Sequence, residues 1–363
     1  MNKSKNKIMP SEQFLKVPKY ISGEHAIEGQ ASITKLSANE NLNGPSEKIK
    51  NIYASYQECL FEYPENDHLS LRKAISGVYN IDKEKIFCGA GSDEIIQLLC
   101  RCYCQVGDEV IYTEHGFLMY KISAIAAGAK PVKADENHRV ASIDNILDRV
   151  SNKTRIVFLA NPNNPTGTMI GLNEIKRLRK KLSPNVLLVL DGAYAEYIEN
   201  YDGGLKLADK FDNIFITRTF SKIFGLGGLR VGWGYGSRDI VNVLNNVRSP
   251  FNISSVGLKL AEISILDKKF VEDQRKLNTE NRDKLRKKLL ALGLEVDHSY
   301  ANFLLLRFSE KQQVVKADNF LKKNGLIARR VESYGLPKAL RLTIATEEIC
   351  NRVHFLLKEL LGK

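Results

Sequence analysis

The sequence predicts an α/β protein: a parallel sheet covered by helices on both faces, followed by a smaller α+β unit. Three observations carry this. Near-continuous apolar runs of strand length alternate with helical patterns through the middle of the chain, as buried parallel strands require. The 363 residues are too many for one small core and suggest about two domains. Composition is that of an ordinary globular protein, 43% hydrophobic and 26% charged.

In chain order, strands are expected at Lys85–Cys88, Glu109–Thr113, Lys130–Val132, Arg155–Ala160, Val186–Leu190, Ile214–Thr217 and Val231–Tyr235. Helical periodicity marks Asp93–Cys104, Leu118–Ala127, Ser142–Val150 and Asn173–Leu182 between them. The stretch from Asp267 to Leu292 is long, charged and heptad-like, and reads as a helix leading into the second unit. That unit takes a strand at Asn302–Arg307, a helix near Val315–Asn324, a strand at Ala339–Ile344 and a C-terminal helix from Glu347. No internal repeat or low-complexity tract interrupts the pattern.

Several function classes are excluded at this level. No apolar run approaches the roughly 20 residues that span a membrane. The N-terminal MNKSKNKIMP is basic but has no apolar core, so it is not a secretory signal, and the chain reads as cytoplasmic. Net charge is +12, yet the lysines interleave with acids and do not alternate with aromatics, so solvated helix faces account for them better than a nucleic-acid surface. Only about 30 residues precede the first motif, too few for an added DNA-binding domain. Six cysteines include Cys100-x-Cys102-x-Cys104, which lacks zinc-site spacing; reduced thiols are expected, and no metal site.

Ligands of an open α/β sheet sit beyond the carboxyl ends of its strands, and unusual residues fall there. Cys88-Gly-Ala-Gly91-Ser92-Asp93 carries a strand into a glycine turn and a helix start, with Ser92 as the expected N-cap and the backbone N–H groups as an anion cradle. Phe117 follows the strand EVIYT and can stack on a heteroaromatic ring. In Asn161-Pro-Asn-Asn164-Pro-Thr-Gly, two prolines stiffen the loop so that Asn164 can donate rigidly to a phenolate oxygen. Asp191 emerges from the apolar strand VLLVL, which is costly unless a cation pairs with it. A pyridinium N–H at ~3 Å would supply about 5 kcal/mol of attraction at an effective dielectric near 20. Tyr194 can share the phenolate oxygen with Asn164. In TFSKIFGLGGLR, Lys222 can condense with an aldehyde, while Thr219, Ser221 and Arg230 can grip a phosphate. Each string alone has a plain structural account as a tight turn, a helix cap or core packing. Their order is what is specific: cradle, stacking aromatic, Asn, Asp and Tyr, Lys, Arg.

These strings, with KLSANEN, EYPEND, ANFLL and ALRLT, run from about Lys35 to Thr343 and resemble the fold-type I enzymes of pyridoxal 5'-phosphate (PLP). The group resembled is the class I/II aminotransferases, and the nearest likeness is to the histidinol-phosphate aminotransferase family. The resemblance implies a large PLP-binding domain (41–275) with a mixed, mostly parallel sheet. An N-terminal arm with part of the small domain (1–40) and a small C-terminal domain (276–363) would complete the chain. It implies that Lys222 holds the cofactor and moves the proton, that Asp191 pairs with the ring nitrogen, and that Asn164 and Tyr194 hold the ring oxygen. Gly91, Ser92, Asp93, Thr219, Ser221 and Arg230 would hold the phosphate, joined by Tyr63 from the partner subunit of a homodimer. Tyr20, Asn41, Arg329 and Arg341 would bind substrate. The implied reaction moves an amino group from a small-molecule donor to 2-oxoglutarate. An aromatic or other amino-acid aminotransferase, or a lyase such as a threonine-phosphate decarboxylase, shares the same cofactor residues. The chain departs from the family pattern at His115-Gly116, where Pro-Thr is usual, and at Gly192, where Glu is common.

Overall fold

The computed structural model describes residues 8–30, 32–54, 56 and 60–363; Cys59 and the basic residues 1–7 lie outside this set. Seven strands form the main sheet: β1 (Ile86–Gly89), β2 (Glu109–Thr113), β3 (Lys130–Ala134), β4 (Thr154–Ala160), β5 (Leu187–Asp191), β6 (Ile214–Thr219) and β7 (Gly232–Tyr235). Their spatial order is β1-β7-β6-β5-β4-β2-β3, and every pairing is parallel except the two made by β7. Successive residues point to opposite faces, so Ile156 and Phe158 join one apolar core while Val157 and Leu159 join another. Both faces of the central strands β4 and β5 are covered, which is why these two are almost continuously apolar, whereas the edge strand β3 keeps exposed lysines.

A second sheet of four short antiparallel strands lies in the C-terminal part: β8 (Glu295–Val296), β9 (Phe303–Arg307), β10 (Arg329–Arg330) and β11 (Ala339–Thr343), in the order β8-β9-β11-β10. Helices Lys311–Lys323 and Glu347–Leu360 pack on it around a separate core that includes Leu304, Leu306, Val314 and Leu357. Helix Lys268–Ala291 leads from one sheet to the other. The N-terminal segment returns to this second unit, where Thr34–Lys35 pairs in parallel with Leu326–Ile327. Among the described residues no helix is long and apolar enough to cross a membrane.

Candidate active site

The carboxyl ends of β1, β4, β5 and β6 open on one cavity of about 210 Å³. Lys222, Asp191, Asn164, Tyr194 and Phe117 from the main sheet line it, as do Arg329, Arg341 and Tyr334 from the second sheet and Tyr20 from the N-terminal segment. Ser92, Asp93, Thr219, Ser221 and Arg230 line it too. A larger groove of about 750 Å³ beside helix Lys268–Ala291 contains none of these side chains.

Asp191 is the last residue of β5, 6% exposed. Its Oδ2 accepts the Tyr120 hydroxyl at 2.6 Å and its Oδ1 the Ala193 N–H at 3.1 Å. Burial raises its pKa, against the opposing pull of the hydrogen bonds from Tyr120 and Ala193. Tyr120 was not among the residues expected at the site. In the sequence it reads as one more core aromatic, and indeed it stacks on Phe158 with centroids 4.6 Å apart.

Lys222 is half-buried, and desolvation of its amine, reinforced by the nearby Arg341, lowers its pKa to about 8. Its Nζ donates to the Ala38 carbonyl at 3.1 Å. Three consecutive residues of the N-terminal segment thus hold three groups of the site. The Ser37 carbonyl accepts Arg341 Nη2 at 2.7 Å, the Ala38 carbonyl accepts Lys222, and Asn39 Nδ2 donates to the Tyr194 hydroxyl at 2.9 Å. Asn164 Oδ1 accepts from Arg341 Nη1, which fixes the amide and leaves Nδ2 as its donor.

At the phosphate end, Arg230 Nη1 reaches Ser221 Oγ at 3.2 Å and Nη2 reaches Asp93 Oδ2 at 3.4 Å. The side chain is about half exposed, at 48%. Gly91 has φ +83, and a Cβ on it would come within 2.5 Å of Arg230 Nη2. A Cβ on Gly232 would meet the Gly91 carbonyl carbon at 2.6 Å, so bare backbone forms this cradle. Helix Ser92–Tyr103 starts here, and its first N–H groups have no acceptor within the helix.

Two expectations change. The N-cap is Gly91, not Ser92, because the left-handed turn needs glycine there; Ser92 is the first helical residue, and Glu94 Oε2 takes the Ala90 N–H at 2.6 Å. Asn41 does not line the cavity. Its Nδ2 donates to the Ile223 carbonyl at 2.8 Å, and Asn39, at φ +56, is the asparagine of this segment that enters the site. Tyr63, expected to act at the partner's site, does not line the cavity of its own chain; it is 81% exposed and stacked on Phe251 with centroids 4.6 Å apart.

The donor set fits PLP. A buried acid wants a cationic ring nitrogen, a half-buried amine with a lowered pKa is ready to condense with an aldehyde, and a glycine cradle with an arginine suits a phosphate dianion. The family profile "Aminotransferase class I and II" matches residues 31–353. The chain belongs to the class I and II aminotransferases. Among its relatives, histidinol-phosphate aminotransferase of Paracoccus denitrificans is 48% identical over 97% of this chain and 96% of its own. That of Dinoroseobacter shibae is 50% identical over 94% and 95%. The fold matches histidinol-phosphate aminotransferase of Sinorhizobium meliloti in complex with PLP at TM-score 0.87, with 20% identity and 92% of each chain covered. It matches aspartate aminotransferase of Thermus thermophilus at 0.80, with 19% identity and 91% and 92% covered. This aminotransferase is a PLP enzyme of the fold-type I architecture.

Proposed function

We propose that this aminotransferase takes the amino group of L-histidinol phosphate and passes it to 2-oxoglutarate, in histidine biosynthesis, as a homodimer. The observation that carries the reading is a pair of buried arginines, Arg329 and Arg341, on one wall of the cavity. A phosphate dianion and a dicarboxylate each neutralise two guanidinium groups, so one wall serves both substrates in turn. The naming and near-full coverage of the relatives support the same donor.

When bound, PLP supplies the aldehyde that receives the amino group and a protonated ring that draws electrons from the substrate Cα. Asp191 holds the proton on the ring nitrogen, with Tyr120 and the Ala193 N–H fixing the carboxylate's direction. Asn164 and Tyr194 orient the ring oxygen, and Phe117 covers the ring face. Ser92, Asp93, Thr219, Ser221 and Arg230 bind the phosphate. Lys222 carries the proton between the substrate Cα and the cofactor C4′, a task suited to an amine titrating near 8. Exposed Tyr63 meets the phosphate of the neighbouring subunit's site, which makes the dimer the working form.

A panel of amino donors tests the substrate. Histidinol phosphate should bleach the visible band of the enzyme-bound cofactor, and 2-oxoglutarate should restore it. Bleaching by phenylalanine or tyrosine alone would instead favour an aromatic donor. Carbon dioxide release from phosphothreonine without a keto acid would mark a lyase.

A further inference from the structure

The loop after β2 serves two walls of the cavity. The Gly116 N–H closes a turn on the Thr113 carbonyl at 2.8 Å. A Cβ on Gly116 would come within 3.0 Å of that oxygen, so glycine lets the turn close without displacing it. Closing it buries His115, which is 8% exposed, two residues before Phe117. The His115 backbone N–H donates to Glu136 Oε1 at 3.2 Å. Its ring Nδ1 lies 2.7 Å from the Tyr334 carbonyl oxygen. A carbonyl only accepts, so Nδ1 carries the hydrogen. A Cβ built on the next residue, Gly335 at φ +78, would lie 3.6 Å from the same nitrogen, so the imidazole rests against the turn itself. Leu118 packs with Val331 and Tyr334 in one small apolar cluster, adding a second contact between the same two loops.

Resting on the placement of the donor's distal group at Arg329 proposed above, we infer that His115 is a positioning residue for the substrate. Through the Tyr334 carbonyl it fixes the turn Glu332–Tyr334, which follows Arg329–Arg330, and so sets how Tyr334 and Arg329 meet that group. The Pro-Thr pair usual in the family offers no ring donor to this carbonyl. The latch ties the wall that faces the cofactor ring to the wall that faces the substrate.

The test compares His115→Leu with His115→Asn in the holoenzyme, because the Nδ2–H of asparagine can stand where Nδ1–H stood. The leucine variant should raise KM for histidinol phosphate about fivefold, the worth of one hydrogen bond, and by more than kcat falls. Cofactor retention on gel filtration should not change. Amide exchange at Gly335 and Leu336 should quicken in the leucine variant, and asparagine should restore both exchange and KM. An unmoved KM in His115→Leu, or equal impairment of both variants with normal exchange, overturns the inference. Arg329→Met is measured alongside. If it too leaves KM unmoved, the placement of the distal group is what fails, and the His115 inference falls with it. If only His115→Leu is silent, the placement stands and the inference alone is overturned.

Discussion

Arg329 and Arg341 stand directly opposite each other on neighbouring antiparallel strands, β10 and β11, and both are buried. Side chains so paired have Cβ atoms about 4.5–5.5 Å apart, and like charges there oppose folding. Among the described residues neither forms an ion pair with a carboxylate. Arg341 is held by Asn164 and the Ser37 carbonyl, and Arg329 by the Ile21 carbonyl. Such a pair is tolerated where an anion is to come between them.

A dicarboxylate should therefore stabilise the enzyme through this pair. At a hundred times its Kd, 2-oxoglutarate should add about 2.7 kcal/mol, read as a rise in Tm. Arg329→Met should lose most of that rise while melting no lower than wild type without ligand, since it removes a repulsion. A variant that melts lower yet keeps the ligand shift would contradict this.

Lys222 should set the pH at which the cofactor is captured. Its pKa is lowered to about 8 by burial and by Arg341, and only the neutral amine attacks an aldehyde. Raising pH depletes the ammonium form, so the rate of PLP attachment to cofactor-free enzyme should climb to about pH 8 and then level. An unshifted lysine would keep climbing toward 10.5. Arg341→Met removes one cause and should move the midpoint upward in stopped-flow absorbance. Lys222→Ala should lose the visible band and at least about a thousandfold in turnover.

Gly192 and Glu196 explain a buried charge. Arg218 is 1% exposed, and its Nη1 donates to Glu196 Oε1 at 2.9 Å. A Cβ on Gly192 would lie 3.0 Å from Arg218 Cδ and Nε, so glycine leaves room for this guanidinium where the family commonly has glutamate. Glu196→Ala should destabilise the fold by about 3–5 kcal/mol, because it leaves a buried cation unpaired. Urea unfolding of the holoenzyme measures this, and a loss under 1 kcal/mol would show that the pair is not what holds Arg218.

Much of this was legible in the chain, and the omissions have physical causes. Strands such as Leu187–Asp191 are almost wholly apolar because both sheet faces are covered, so they stand out locally. Helix Ser255–Leu266 buries one face but carries the apolar Val256, Ile263 and Leu266 outside it, so its sequence shows no clean period, and Leu69–Tyr79 begins after His68 at φ +54 with no capping side chain; neither was anticipated. The pairing of Thr34–Lys35 with Leu326–Ile327 joins distant segments that carry no local sign of each other. At the site, residues whose chemistry is rare at strand ends were visible, as Lys222 and Asp191 were. Asn39 was not separable from Asn41, because only the turn at Asn39 decides which amide reaches Tyr194. Tyr120 was hidden by its own burial.

The most direct test compares kcat/KM for histidinol phosphate with that for unphosphorylated histidinol, in wild type and in Arg329→Met. Wild type should prefer the phosphorylated donor by about a hundredfold or more, the worth of charge-assisted hydrogen bonds to a buried arginine pair. Arg329→Met should erase at least about tenfold of that preference through the phosphorylated donor alone. Equal kcat/KM for the two donors in wild type would contradict the assignment of the arginine wall to the substrate's phosphate.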